Sequence, residues 1–147
     1  IYNYYISNTA YTFDINQRTT EEKEEWFHQF KNSKKSICLV GYENDELVGF
    51  VCSTKFREKE AYNQSLETSV YISEKFKGRG FGKKLMFELI TRLKSTNIKN
   101  LYALITYPNK ASINLHKTLN FKKVGTLNKV GYKFKKYWSV HIYELML

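Results

Sequence analysis

In Lys77-Gly78-Arg79-Gly80-Phe81-Gly82-Lys83-Lys84, three glycines alternate with larger residues amid four basic side chains. Glycine allows main chain to approach a ligand where a Cβ would collide. When such a turn leaves a strand and opens a helix, converging N–H groups and the helix dipole favour an anion, and a phosphate fits best. Two familiar phosphate motifs fail on spacing. The dinucleotide fingerprint needs Gly-x-Gly-x-x-Gly and an acidic residue about twenty positions on, whereas here the order is Gly-x-Gly-x-Gly. The nucleotide P-loop needs Lys followed by Ser or Thr, and here Gly82 precedes Lys83-Lys84-Leu85. Taken alone, such a run more often marks a tight turn with solvated charge.

Other reactive side chains are sparse. His28, His116 and His141 are far apart in sequence and form no ligand motif, so no metal is expected. Cys38 and Cys52 each sit inside an apolar run and read as small buried residues rather than a disulfide. The net charge of +10 admits nucleic acid, an acidic surface or a phosphorylated ligand. No RNA- or DNA-reading motif accompanies it, so nucleic acid is not an expected partner. The basic stretch Lys75–Lys84 coincides with the glycine turn and favours a phosphate-bearing ligand. With 147 residues, 42% hydrophobic and one proline, the chain reads as a single domain, 1–147, with one core. Apolar runs such as Ile37–Val40 and Leu101–Ile105 are too short to span a bilayer, and no signal peptide is apparent, so a soluble cytoplasmic protein without membrane partners is expected.

The elements that must position the turn follow from hydrophobic periodicity. Ile1–Ile6 looks like the end of a helix. Thr19 followed by Glu22 is a capping-box signal, and Trp26, Phe27 and Phe30 recur at helical spacing, which predicts a helix over Thr20–Asn32. Ser36–Tyr42 and Leu47–Phe56, separated by Glu43-Asn44-Asp45, predict a β-hairpin. Thr68–Ser73 is a third strand leading into the turn. Leu85, Met86, Leu89, Ile90 and Leu93 form the apolar stripe of the next helix, ending near Ser95. Leu101–Thr106 is a strand, Lys110–Leu119 a short helix, and Lys122–Val130 and Val140–Leu147 are closing strands. The class is α/β.

Val70-Tyr71-Ile72, then Lys77-Gly78-Arg79-Gly80-Phe81-Gly82, then an apolar helix, resembles the pyrophosphate-binding motif of the GNAT family of N-acetyltransferases. Tyr107-Pro108-Asn109-Lys110-Ala111-Ser112-Ile113-Asn114-Leu115-His116, continuing through Asn120-Phe121, looks like the second half of the same fold. Ala61-Tyr62, Glu67–Tyr71, Gly131-Tyr132-Lys133 and Trp138 are similar to the phosphinothricin and methionine-sulfone acetyltransferase branch. The resemblance covers nearly all of the chain. It departs from the family at three places: Lys77 stands where Arg or Gln is usual, Asn120 where Gly is usual, and Phe134 where the phosphinothricin branch has His. The family's first strand has no counterpart before Ile1, so an N-terminal piece is expected to be missing.

The resemblance implies a mixed, mostly antiparallel twisted sheet flanked by helices, with the pyrophosphate turn between a central strand and the main helix. It implies acetyl-CoA as acetyl donor, with Val70, Tyr71 and Ile72 along its pantetheine, Lys77, Gly78, Arg79, Gly80, Phe81, Gly82 and Lys83 at the pyrophosphate, and Asn109 and Ser112 along the CoA arm. It implies Glu67 as general base for an attacking amine and His116 near the thiol. Arg57, Lys59, Tyr62 and Tyr107 are the implied substrate contacts, for a small amino-acid-like molecule. A peptide acceptor or a catalytically silent acyl-CoA-binding domain is the alternative. A homodimer is the family expectation.

Overall fold

In the computed structural model, which describes Ile1–Leu147, the order is α1 (Tyr2–Asn8), α2 (Thr20–His28), β1 (Cys38–Glu43), β2 (Glu46–Lys55), β3 (Ser65–Ile72), α3 (Phe81–Lys94), β4 (Asn100–Tyr107), α4 (Lys110–Thr118), β5 (Lys122–Lys133) and β6 (Lys136–Met146). Short 3-10 turns at Glu60–Tyr62 and Glu74–Phe76 bracket β3. The six strands form one sheet in the order β1-β2-β3-β4-β6-β5. Only β3 and β4 are parallel, and every other pairing is antiparallel. The expected mixed α/β architecture is therefore present.

The apolar stripe of α3 drives the packing. Met86, Leu89, Ile90 and Leu93 are buried against Val51, Leu66, Leu101, Ala103 and Ile105 from the central strands. Each such Leu or Ile stabilises the fold by about 1.5–3 kcal/mol on burial. Side chains alternate along a strand, so Leu66 and Val70 of β3 face α3 while Glu67, Ser69 and Tyr71 face the other way. On that second face Tyr2 and Tyr5 of α1 pack edge-on against Tyr71, at centroid distances of 4.9 and 5.0 Å.

Several boundaries differ from the periodicity reading. Helix α2 has the capping box, with the Thr19 oxygen accepting the Glu22 N–H at 3.2 Å and the Glu22 carboxylate accepting the Thr19 N–H at 2.8 Å. It ends at His28 instead of Asn32, and Asn32 adopts φ +60°. None of its residues is buried, because Trp26 and Phe27 lie along the surface, where Trp26 meets Phe30 and Phe50. Strands β5 and β6 extend further towards each other than expected. Phe134 and Lys135, at φ +53° and +56°, close a two-residue turn of the kind that glycine usually makes, and no glycine marks it in the sequence. Strand β3 begins at Ser65, earlier than Thr68, and the added residues are the ones that pair with β4.

Leu89 is fully buried at the centre of the core. Leu89→Ala is expected to lower stability by about 2–5 kcal/mol in chemical denaturation, because the cavity cannot collapse against a sheet fixed on both sides.

Candidate active site

Parallel strands β3 and β4 pair only at Ser65↔Asn100, Leu66↔Leu101 and Glu67↔Tyr102. Beyond that point they part, and the Thr68 hydroxyl reaches across to the Tyr102 carbonyl at 3.2 Å. The gap opens into a cleft of about 800 Å³ lined by Thr68–Ile72 on one side and Ala103–Thr106 on the other. The N–H of Ser73 donates to the Val48 carbonyl at 2.8 Å, so backbone groups at odd positions of β3 face β2. By alternation those of Val70 and Ile72 face the cleft, where no strand pairs with them. Tyr5 Oη donates to the Ile72 carbonyl at 2.6 Å, leaving the remaining groups for an extended ligand.

At the outer end of the cleft, Gly78 and Gly80 take φ +75° and +82°, in the left-handed region that disfavours a side chain. Gly80 caps α3 with no side-chain bond, and the first helical bond is Lys84 N–H to Gly80 carbonyl at 3.2 Å. The N–H groups of Phe81, Gly82 and Lys83 therefore lack helical partners, an arrangement that favours an anion. A Cβ on Gly82 would lie 3.3 Å from Leu115, which shows how closely α3 approaches α4 there. Not all of the basic side chains are free. Arg79 is paired with Glu43 at 2.7 Å, Lys75 with Glu46, and Lys77 with Glu74. Arg79 does not line the cleft, whereas Lys77 and Lys83 do.

Helix α4 contributes the inner wall. Asn109 caps it by accepting the Ser112 N–H at 3.1 Å, which leaves the Asn109 amide nitrogen free to donate into the cleft. His116 is buried, with Nδ1 at 2.8 Å from the Ser112 carbonyl. A carbonyl only accepts, so that contact assigns the proton to Nδ1. Burial lowers the His116 pKa, with the Ser112 bond opposing, and Nε2 is a buried lone pair without a partner. The ring can accept a hydrogen bond but has no proton to give from Nε2.

Glu67 stands at the fork itself. Burial raises its pKa, and the guanidinium of Arg57 partly opposes the rise. Arg57 is thus the implied substrate contact brought closest to it in charge. Its guanidinium lies 4.7 Å from the Phe56 ring centre, and Tyr62 packs edge-on against Phe56 at 6.0 Å. Lys59 precedes the Glu60–Tyr62 turn and is exposed. Tyr107 is not brought to this group. It projects from the opposite face to Glu67, half exposed, and stacks on His141 at 4.4 Å. Tyr5 and Tyr11 also line the cleft, and nothing in local spacing pointed to them, since only the fold carries the N-terminal segment there. Cys38 and Cys52 are free thiols, pushed up by burial to about 11 and about 12. The structure contains no cluster of His, Cys, Asp or Glu arranged to hold a metal.

The sequence pattern of the acetyltransferase (GNAT) family matches residues 3–121. The phosphinothricin N-acetyltransferase of Streptomyces coelicolor is 37% identical over 146 residues, covering 98% of this chain and 85% of that protein. The L-methionine sulfoximine/L-methionine sulfone acetyltransferase of Pseudomonas paraeruginosa is 27% identical over 100% of this chain and 86% of its own length. Among solved structures, a putative acetyltransferase from Salmonella typhimurium with its cofactor acetyl-CoA superimposes with a TM-score of 0.95 at 27% identity, covering 100% of this chain and 84% of that one. With the forked strands, the glycine cradle and these relatives in agreement, the chain belongs to the GNAT family of acetyltransferases.

Proposed function

We propose that this enzyme transfers the acetyl group of acetyl-CoA to the amino group of a small amino-acid-like molecule of the phosphinothricin or methionine sulfone and sulfoximine kind. One observation carries the reading: a half-buried carboxylate, Glu67, sits where β3 and β4 part, between unpaired strand backbone and the cation of Arg57. The names of the relatives point to the same chemistry.

The cleft suits the donor. Backbone groups of Val70 and Ile72 would pair with its amide-bearing arm as an added strand, with Tyr71 fixing the strand from behind. Lys77, Gly78, Gly80, Phe81, Gly82 and Lys83 would hold the pyrophosphate, with Arg79 anchoring the turn through Glu43. Asn109 and Ser112 would contact the arm from α4. Acetyl-CoA supplies an acyl carbon activated by its thioester. Glu67 takes the proton that the ammonium must lose, directly or through a water. The amine nitrogen then bonds to the acyl carbon as the carbon–sulfur bond breaks. Unpaired strand N–H groups would stabilise the negative charge that develops on the acyl oxygen. The attacking nitrogen sheds its second proton to solvent, and the sulfur leaves as a thiolate, which is tolerable for a thiol of ordinary pKa about 8.5. His116, neutral and accepting, would position a donor of the bound arm rather than deliver a proton. Arg57, with Lys59 and Tyr62 nearby, would receive the substrate's carboxylate end.

A cytoplasmic setting, where acetyl-CoA is made and thiols stay reduced, fits the two free cysteines. Edge strand β5 and its turn expose Leu127, Val130, Tyr132 and Phe134, which supports a homodimer through that edge. Sedimentation velocity should then give twice the monomer mass, and a charge at Val130 should shift it to monomer.

Glu67→Gln is expected to lower release of free CoA thiol by about 100-fold or more while CoA binding is retained. Tight CoA binding by a wild type inactive on amino-acid analogues and peptides would instead indicate a silent acyl-CoA-binding domain. The base works only when ionised. Because burial raises the Glu67 pKa, kcat/KM should fall with decreasing pH at a midpoint above the ordinary glutamate value of about 4.3. Gly80→Val places a β-branched residue at φ +82° and is expected to weaken CoA binding about tenfold or more by titration calorimetry.

A further inference from the structure

The last paired position before the fork, Glu67↔Tyr102, continues on the far side of β4 as Tyr102↔Glu144. Residues directly opposite one another on neighbouring strands project to the same face, so Glu67, Tyr102 and Glu144 form one row across three strands. Tyr102 Oη donates to the Glu144 carboxylate at 2.7 Å. The Tyr102 ring is stacked on Phe56, with centroids 4.3 Å apart and planes 21° from parallel. Phe56 follows the β2 residue paired with Leu66, so it starts on the other side of β3 from Tyr102. The two rings meet over β3 beside Glu67, and the same Phe56 ring carries Arg57 on it and Tyr62 at its edge.

A ring fixed by stacking at its face and by a charge-assisted hydrogen bond at its tip has little freedom. We propose that Tyr102, tethered by Glu144, is a positioning residue of the acceptor site: its stack with Phe56 bridges β3, screens Glu67 from water and sets where Arg57 holds its guanidinium. This inference rests on the acetyl-transfer reading for its catalytic meaning. Neither Tyr102 nor Glu144 needs to touch the reacting atoms. Both act through Glu67 and Arg57.

The groups facing Glu67 make the wall separable from charge effects. Arg57 approaches from the segment after β2, the Cys52 thiol from β2 and the Tyr102 phenol from β4, with Glu144 on β6 behind it. The thiol and the phenol are both pushed up to about 12 and stay neutral near pH 7, so Arg57 is the ionised group that acts directly on Glu67. Opening the wall therefore relieves desolvation, and the carboxyl should titrate lower.

The test uses the full chain and two measurements. The first is a carbon-13 NMR titration of the Glu67 carboxyl, which requires no turnover. The second is acetyl transfer to an amino-acid analogue as a function of pH. In Y102A the Glu67 midpoint should fall by roughly one pH unit and the acidic limb of kcat/KM should move down with it. The KM for the amine should rise several-fold while the KM for acetyl-CoA stays at the wild-type value. Y102F keeps the ring and loses the tether, so the midpoint should move less while the amine KM still rises. E144A, which removes the acceptor of the Tyr102 proton, should raise the amine KM as Y102F does. If Y102A does not fold, Y102F and E144A decide the matter through the amine KM, and an unchanged KM in both overturns the inference. A lowered midpoint in Y102A alongside a wild type that acetylates no amine supports the wall and overturns the acetyl-transfer reading. An active wild type whose midpoint and amine KM are unchanged in Y102A, or whose amine KM is unchanged in Y102F, overturns the inference.

Discussion

Two parallel strands that pair for three residues and then diverge impose a problem that the rest of this chain resolves. Backbone N–H and C=O groups exposed by the divergence need partners, since leaving them buried and unpaired is costly. Tyr5 satisfies one carbonyl, the Thr68 side chain bridges the fork, and the others remain directed into the cleft. The enzyme's donor is an extended molecule with amide groups, so the cleft can be completed by ligand in the way an absent strand would complete it.

The fork can stay open because both of its arms are held from outside. Strand β3 is paired along Leu66–Ile72 with β2, and β4 along its full length with β6. Helix α3 then packs Met86, Leu89, Ile90 and Leu93 across the joined ends of the strands, while its N-terminus extends over the open part. One helix therefore seals the core with its body and presents unpaired N–H groups with its first turn. The close approach at Gly82 brings α4 beside that turn and adds Asn109 and Ser112 to the same cleft.

The proposed donor half of the site was legible in sequence because it is built from contiguous residues. Val70–Ile72, the Gly78–Gly82 turn and the Asn109 cap each read as a local motif, and the fold only had to bring three segments together. The acceptor half was much less so. Glu67 had no local signature beyond its place in the resemblance, and Tyr102, Phe56 and Glu144 meet only through a register across four strands that no spacing along the chain encodes. Surface position was another blind spot. Helical periodicity at Trp26, Phe27 and Phe30 correctly indicated a helix, but not that its aromatic side would lie along the exterior. Tyr107 and Arg79 had the right chemistry for a site, yet alternation along β4 turns one to the opposite face and an ion pair to Glu43 holds the other aside.

The ion pairs around the glycine turn bear on how an anion is caught. Lys75, Lys77 and Arg79 each face a glutamate, so much of the charge that makes this stretch conspicuous is cancelled where it stands. What remains at the cradle is fixed dipole from the unpaired N–H groups, plus Lys83. Dipoles in contact with a ligand are shielded little by dissolved ions, whereas the long-range pull of a net charge of +10 fades beyond about 8 Å at physiological ionic strength. Added salt should therefore slow the approach of a polyphosphate ligand more than it hastens its departure, dividing arrival and retention between two different parts of the protein's electrostatics.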